Sequence, residues 1–456
     1  MSPPFGKVLI ANRGEIALRV LRTCRDLGIA AVAVYSTEDR DSEVVRLADE
    51  AIHIGPAPAK RSYLDIAAII QAAAQSGADA VHPGYGFLSE DPDLAEVCEK
   101  EGFVFVGPRA SVLAGLGDKS VARGLMAGAG LPLLPGSLEP LAGRAAAERT
   151  AAEIGYPLIV KAVAGGGGRG MRVARGPEDL AAAYGEARTD ARAFFGDDRV
   201  FMERYLERAR HVEVQVLCDA YGGGVHLGER DCTIQRRHQK LIEETPAPGL
   251  PAELLDEMRA AAVRGALAAG YTGAGTFEFL VDDQNRFYFM EVNGRIQVEH
   301  PVTELATGVD LVREQLRIAA GEALGFGQDA ITPGGAVIEC RVNAEDPDRG
   351  FAPAPGVLTE FRPPGGPFVR VDTHGFAGLR ISPAYDSLLA KVVVWGEDRD
   401  TAIRRMRRAL GEFLVAGKGV KTTIPFLRQV LDHPDFRYAR HTTALAERMT
   451  ARATPR

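Results

Sequence analysis

Strand-length apolar runs alternate with helical patterns over residues 5–108, an order that few folds accommodate. Lys7–Asn12 (KVLIAN) reads as a strand, and Glu15–Asp26 then repeats apolar residues at Ile16, Val20, Leu21 and Cys24. Ile29–Tyr35 is apolar again, and helical patterns follow over Ser42–Glu50 and Tyr63–Gln75. Ala78–His82 and Phe103–Val106 read as further strands on either side of a helical Pro92–Glu101. Strands alternating with helices build a parallel, doubly wound α/β sheet. Ligands on such sheets lie beyond the carboxyl ends of strands, where Tyr85 falls in His82–Glu90 (HPGYGFLSE); the other reading of Tyr85 is plain packing. The first strand runs into Asn12-Arg13-Gly14-Glu15 rather than GxGxxG, so a dinucleotide site there is poorly supported.

A second segment opens near Gly117-Asp118-Lys119. Tyr156–Ala162 (YPLIVKA) predicts a strand that carries Lys161 into Gly165-Gly166-Gly167-Gly168-Arg169-Gly170. Val200–Leu206, His211–Leu217 and Gly224–Glu229 predict strands of a second sheet, and Pro251–Ala269 a helix. From about Gly335 the texture turns mostly β, with strands expected at Ala336–Asn343, Val357–Phe361, Val369–Thr373 and Leu389–Val394 and one helix at Asp400–Phe413.

Thr276–Val281 (TFEFLV) and Phe287–Asn293 (FYFMEVN) carry the clearest chemistry. A hairpin centred between Gln284 and Asn285 sets Glu278 opposite Glu291. Alternation then gives Phe277, Phe279, Val281, Tyr288, Met290 and Val292 one apolar face, and Glu278, Glu291 and Asn293 the other. Opposed carboxylates repel, and a divalent cation such as Mg²⁺, shared with substrate phosphates, makes the pair favourable. The plainer reading is an edge hairpin with two solvated glutamates; the polar Arg295, Gln297, Glu299 and His300 alongside argue against it. Backbone N–H groups of a glycine run can wrap phosphate oxygens, although such a run is often only a flexible loop. Arg236-Arg237-His238-Gln239-Lys240 is a basic cluster or a solvated turn, and Cys232 reads as a buried thiol.

Composition bounds the rest. A chain of 456 residues with 46% hydrophobic and 25% charged residues has material for two or three globular domains. A net charge of −7 argues against a general nucleic-acid binder. No apolar run approaches the ~20 residues of a membrane span, and Met1–Leu9 has no apolar signal core. Five scattered cysteines without a CxxC pair fit a reducing compartment, so the expected location is the cytoplasm. Nine lysines stand against 45 arginines, and Lys119, Lys161 and Lys240 all fall inside the motifs above. A site that needs a compact ammonium cannot use arginine instead.

Lys7–Ala17 (KVLIANRGEIA), His82–Glu90, Lys161–Met171 (KAVAGGGGRGM), Glu291–Glu304 (EVNGRIQVEHPVTE) and Glu339–Pro347 (ECRVNAEDP) together resemble biotin carboxylase, in order, from about Gly6 to Thr443. The resemblance implies an ATP-grasp fold, α/β and α+β overall. An N-terminal Rossmann-like domain would span 1–117, an ATP-grasp domain 118–330 with a mobile lid at about 133–204, and a β-rich C-terminal domain 331–446. It implies an ATP-dependent ligase that carboxylates biotin on a biotin carboxyl carrier protein with bicarbonate, through carboxyphosphate. ATP, Mg²⁺ or Mn²⁺ and carrier-bound biotin are the implied cofactors.

Residue by residue, Lys119 and Lys161 resemble the family's ATP-phosphate ligands, with Gly165, Gly166, Gly167 and Gly168 in the glycine loop. Glu203 and Leu206 fall at the adenine hinge, and His211, Gln235 and His238 around the nucleotide. Glu278 and Glu291 match metal ligands, with Asn293 beside them. Lys240, Arg295, Gln297 and Val298 resemble the bicarbonate pocket, and Glu299 the base that deprotonates bicarbonate. Arg341 resembles the residue that stabilises the biotin enolate, and Tyr85 a biotin-side position. Arg341 could instead pair structurally with Glu339 or Asp346, and Arg295, four residues from Glu299, is expected within reach of it. The family's run has Met and Thr where this chain has Val292 and Gly294; Gly294 is expected to loosen the loop.

The absence of a Met-Lys dipeptide leaves no usual biotinyl-lysine motif, so a free-standing subunit is expected, working with carrier and carboxyltransferase proteins. It would serve acetyl-CoA carboxylase and fatty acid synthesis; the alternatives are a propionyl-CoA or pyruvate carboxylase, or another ATP-grasp ligase. The family resemblance also implies a homodimer, with no nucleic acid and no membrane partner.

Overall fold

A computed structural model describes residues 3–165 and 170–453. The N-terminal pattern forms the expected parallel sheet from β1 (Lys7–Ile10), β2 (Ala30–Ser36), β3 (Glu50–Gly55), β4 (Ala80–His82) and β5 (Val104–Phe105), in the order β3-β2-β1-β4-β5. Strand β3 was not expected. The helix expected over Ser42–Glu50 stops at Leu47, and Glu50–Gly55 pairs with β2. The order reverses between β1 and β4. There the Asn12 side-chain amide donates to the carbonyls of Pro83 (2.7 Å) and Tyr85 (2.8 Å). Helix α1 (Gly14–Asp26) starts at this switch point and buries Ile16, Val20, Leu21 and Cys24, as its periodicity predicts.

The glycine-run strand β6 (Leu158–Ala162) lies between β7 (Met171–Ala174) and β8 (Val200–Arg204) in a small antiparallel sheet. Lys119 opens helix α2 (Lys119–Gly128), capped by the Asp118 side chain. The largest sheet is antiparallel. It comprises β9 (Arg210–Cys218), β10 (Gly224–Arg236), β11 (Gln239–Thr245), β12 (Gly273–Val281), β13 (Phe287–Asn293), β14 (Ala336–Asn343), β15 (Val369–Thr373) and β16 (Leu388–Gly396), ordered β13-β12-β9-β10-β11-β14-β16-β15. The late strands β14, β16 and β15 thus extend the same sheet across the β11–β14 pairing. Helix α3 (Ala252–Ala268) packs Met258, Ala261 and Ala262 with Phe277, Phe279 and Phe289. Helix α4 (His300–Thr307) and helix α5 (Arg399–Glu412) pack against the β14–β16 half. Among the described residues no helix is long and apolar enough to cross a membrane.

The hairpin register holds where the chemistry lies. Thr276 pairs with Asn293, Phe277 with Val292 and Glu278 with Glu291. A bulge then shifts the ladder, so Phe279 faces Phe289 and Val281 faces Phe287. Phe287 and Phe289, rather than Tyr288 and Met290, therefore join the apolar core; one extra residue reverses the alternation beyond it.

Lys391 on β16 fastens the sheet to the N-terminal unit. Its fully buried ammonium lies 2.9 Å from Glu15 on α1 and donates to the Val298 carbonyl at 2.8 Å. Breaking one side of a buried pair strands the other charge. Lys391→Met is expected to lower stability by about 3 kcal/mol, read as a fall in the urea midpoint at unchanged slope.

Candidate active site

Charged residues line up across one face of the large sheet. Glu291 lies opposite Glu278, Glu278 opposite Glu213, and Glu213 opposite Arg230. Three carboxylates in a row require cations within reach, because like charges opposed on a sheet repel. Arg230 has no exposed surface and reaches Glu213 through Nε at 2.6 Å, Gln215 at 2.9 Å and Thr303 at 2.8 Å. Lys240, at the start of β11, reaches Glu213 (2.5 Å), Glu278 (2.9 Å), Gln297 (3.1 Å) and Glu299 (2.6 Å). An ammonium has three protons for these four acceptors, so it is shared among them. Burial alone would lower the lysine's pKa, but Glu213, Glu278 and Glu299 raise it well above the ordinary value, and Lys240 stays charged.

Glu299 closes the row from the loop before α4. Its Oε1 meets Lys240, and its Oε2 accepts from Arg341 Nη2 at 2.8 Å. Arg341 Nε donates to Glu243 at 2.6 Å, and Nη1 makes no hydrogen bond to a described residue. The expected alternatives, Glu339 and Asp346, are not its partners. Burial pushes the Glu299 carboxyl up, yet Lys240, Arg341 and Arg230 outweigh it and hold the group below the usual carboxylate range. Glu299 is thus an ionised acceptor throughout the neutral range. Arg295 was expected at Glu299 but binds Glu90 (3.0 Å), the Asn293 side chain (3.0 Å) and the Ile296 carbonyl. Its strand of sequence turns it back along the loop, and Lys240 and Arg341 fill the place.

Glu278 Oε1 accepts from Lys240, Asn293 (3.0 Å) and Gln297 (2.9 Å), while His211 lies 3.2 Å from Oε2. Glu291 meets Lys119 at 3.0 Å. Glu278, Glu291 and Asn293 are hard oxygen donors, a set that suits Mg²⁺ or Mn²⁺. The Gly294 N–H donates to Glu90 at 2.9 Å, and a Cβ there would come 2.8 Å from the tip of the Leu113 side chain, which would have to shift to admit it. Val292 is buried, as its alternation predicts.

The remaining expected residues divide. Lys161 pairs with Glu203, which also binds Arg123 at 2.6 Å, so Glu203 is locked on two cations beside half-buried Leu206. Gln235 reaches His211 Nδ1 at 2.8 Å. His238 sits exposed in the β10–β11 turn with φ 64°, and Lys119 also donates to the Gly165 carbonyl at 2.6 Å. Gly166, Gly167 and Gly168 lie outside the described residues. The Tyr85 hydroxyl donates to Glu15, so Tyr85 joins the Val298 peptide through Glu15 and Lys391. Cys232 is buried, as expected, with its sulfur 3.9 Å from Glu299. Glu90, Glu213, Arg230, Glu243 and Lys391 were not singled out from sequence. Glu213 and Lys391 each interrupt an apolar strand, and that interruption is the signal that could have found them.

Lys240→Met tests the row. Paired carboxylates with depressed pKa values stabilise the fold above the unfolded-state pKa, and that contribution fades as pH falls. In the variant Glu299 is buried without its ammonium, its pKa rises, and acid favours the folded state. Lys240→Met is therefore expected to melt well below the wild type at pH 7, with the gap narrowing below about pH 5.

Comparison with known proteins agrees with this geometry. Residues 4–113 match the model for the biotin carboxylase N-terminal domain, 118–326 the carbamoyl-phosphate synthase L chain ATP-binding domain, and 339–448 the biotin carboxylase C-terminal domain. A biotin carboxylase of Nostoc sp. is 51% identical over 445 residues, covering 98% of this chain and 99% of the relative. A biotin carboxylase of Campylobacter jejuni, solved as a beta-gamma-ATP complex, superposes with a TM-score of 0.95 at 47% identity, covering 97% of this chain and 99% of the other. The biotin carboxylase domain dimer of Hydrogenobacter thermophilus 2-oxoglutarate carboxylase, with MgADP, ADP and bicarbonate, gives a TM-score of 0.95 at 46% identity, covering 99% of each chain. Motif order, sheet order and the paired glutamates thus meet in one assignment: the chain belongs to the biotin carboxylase family.

Proposed function

We propose that this site carboxylates biotin on a carrier protein, using ATP and bicarbonate. The observation that carries the reading is the place of Glu299. One carboxylate touches Lys240 beside Glu278 on one side and Arg341 on the other, so it joins a phosphate-side region to a cofactor-side region. Lys119 and Lys161 would bind ATP phosphates by exchanging Glu291 and Glu203 for phosphate oxygens, with Leu206, His211, Gln235 and His238 around the base and ribose. Mg²⁺ or Mn²⁺ held by Glu278, Glu291 and Asn293 would neutralise phosphate charge.

Lys240, Arg295, Gln297 and the Val298 peptide form the bicarbonate pocket in this reading. Ionised Glu299 accepts the bicarbonate proton, which frees an oxygen to attack the terminal phosphorus as the bond to ADP breaks and ADP leaves. The carboxyphosphate so formed yields CO₂ and phosphate, phosphate takes the ureido proton of biotin, and the resulting enolate attacks CO₂ through its nitrogen to give carboxybiotin. The free Nη1 of Arg341 faces the developing enolate oxygen, and Tyr85 lies on the biotin side.

The same proposal divides the chain at 1–117, 118–330 and 331–446, with a lid at about 133–204, and places it in the cytoplasm as a homodimer. The dimer of the Hydrogenobacter domain supports the homodimer, and the three matched domain models support the three-part division. We assign acetyl-CoA carboxylation for fatty acid synthesis, with separate carrier and carboxyltransferase partners. The match to a relative named for the half-reaction alone, covering 98% of this chain and 99% of the relative, supports the separate subunit.

Purified protein with Mg²⁺ is expected to hydrolyse ATP faster with bicarbonate and to carboxylate free biotin. ATP turnover indifferent to both would overturn the reading. Arg341→Ala should retain much of the bicarbonate-dependent hydrolysis while carboxybiotin formed per ATP falls by about 10²- to 10³-fold. An unchanged ratio in a folded variant would remove Arg341 from the reaction.

A further inference from the structure

Glu339 is the one acid of this neighbourhood that nothing holds. It has no exposed surface, and neither of its oxygens has a hydrogen-bond partner among the described residues. It lies opposite Glu243 on β11, which is equally buried and whose Oε2 also has no partner. On its other side stands Val393, which clusters with Val302 and Val337. Glu339 therefore borders an apolar patch and faces a second carboxyl, two positions along the strand from Arg341.

The charges around it are otherwise engaged. Arg341 on its own strand binds Glu243 and Glu299. From β16, Lys391 is committed to Glu15 and the Val298 carbonyl. From β15, Arg370 binds Glu304 and Asp372, and from α4, Glu304 is held by Arg370 and Arg19. His300 lies buried on α4 and Cys232 on β10, while Glu244 is bound to Arg399. Two buried carboxyls without a cation between them do not both ionise. Of the two, Glu243 has the guanidinium. Burial and then Glu243 push the Glu339 carboxyl well above its ordinary value, and burial lifts Glu243 to about 7.

We propose that Glu339 stands as a neutral carboxylic acid at working pH and acts as a positioning residue. By withholding a third negative charge, it leaves Arg341 bracketed by Glu243 at Nε and Glu299 at Nη2, with Nη1 turned to the substrate. This rests on the biotin-carboxylation reading of Arg341.

Glu339→Gln imitates the neutral acid in shape and charge, and it is compared with wild type and Glu243→Gln. Infrared difference spectra at about pH 8.5, where Glu243 is ionised, should show a carboxylic-acid carbonyl band in wild type that Glu339→Gln removes. An acid whose folded pKa is raised costs the fold stability as pH climbs above the unfolded value, and glutamine carries no such cost. The melting temperature of Glu339→Gln relative to wild type should therefore rise steadily from pH 5 to pH 8. Carboxybiotin per ATP should stay within about twofold in Glu339→Gln and fall about tenfold in Glu243→Gln. A missing band, a melting difference flat with pH, or a ratio lost in Glu339→Gln as in Glu243→Gln overturns the proposal. A wild type that makes no carboxybiotin overturns the parent reading instead, and the infrared and melting experiments still decide the protonation of Glu339.

Discussion

Shared cations hold this structure together where its sheet would otherwise fly apart. Glu291, Glu278 and Glu213 stand side by side on three strands, and Glu299 is delivered to the same spot from a loop. Lys240 alone meets three of these four carboxylates, and Arg230 meets Glu213 from the far side. Each cation is nearly or wholly out of water, so its worth depends on the geometry of its partners rather than on surface attraction. An arrangement of this kind is costly to assemble for stability alone. It makes sense as a preformed charge pattern into which anionic substrates exchange, with little reorganisation left for the reacting state.

The fold was legible where local pattern and tertiary environment agree. Alternating strands and helices over the first hundred residues predict the parallel sheet, and the switch point falls where Asn12 meets Pro83 and Tyr85. The pattern missed β3, of which only Glu50 fell inside the expected helix and the rest received no reading, although it pairs with β2. It failed again past Glu278, because no residue type announces a bulge and one inserted position exchanges Tyr288 and Met290 for Phe287 and Phe289. The solvated-turn reading of Arg236–Lys240 describes the β10–β11 connection, whose Arg237 and His238 both take positive φ, while Lys240 at its end reaches the carboxylate row.

The site was legible in its motifs and opaque in its partners. Register arithmetic placed Glu278 against Glu291 without knowledge of the rest of the sheet. The partners of Arg341 lie 98 and 42 residues away, whereas sequence proximity offered only Glu339 and Asp346 as the alternative to a role in the reaction. Arg295 misled for the same reason: four residues of loop do not have the periodicity of a helix. Gly294 shows a subtler limit. Its missing side chain suggests freedom, and sequence alone could not show that its N–H is held by Glu90 or that Leu113 packs beside it.

Lys391 gives the molecule an order of assembly. It lies on a strand added late in the chain, yet it grips Glu15 near the beginning and the Val298 peptide in the middle. A chain emerging from the ribosome can build its first sheet and set Glu278 beside Glu291 well before residue 391 appears. The Val298 peptide and the Glu15–Tyr85 contact acquire their common anchor only when that strand docks. The pocket proposed for the small anion is thus fastened last, because the Val298 peptide gains its contact to Lys391 only when that strand is in place.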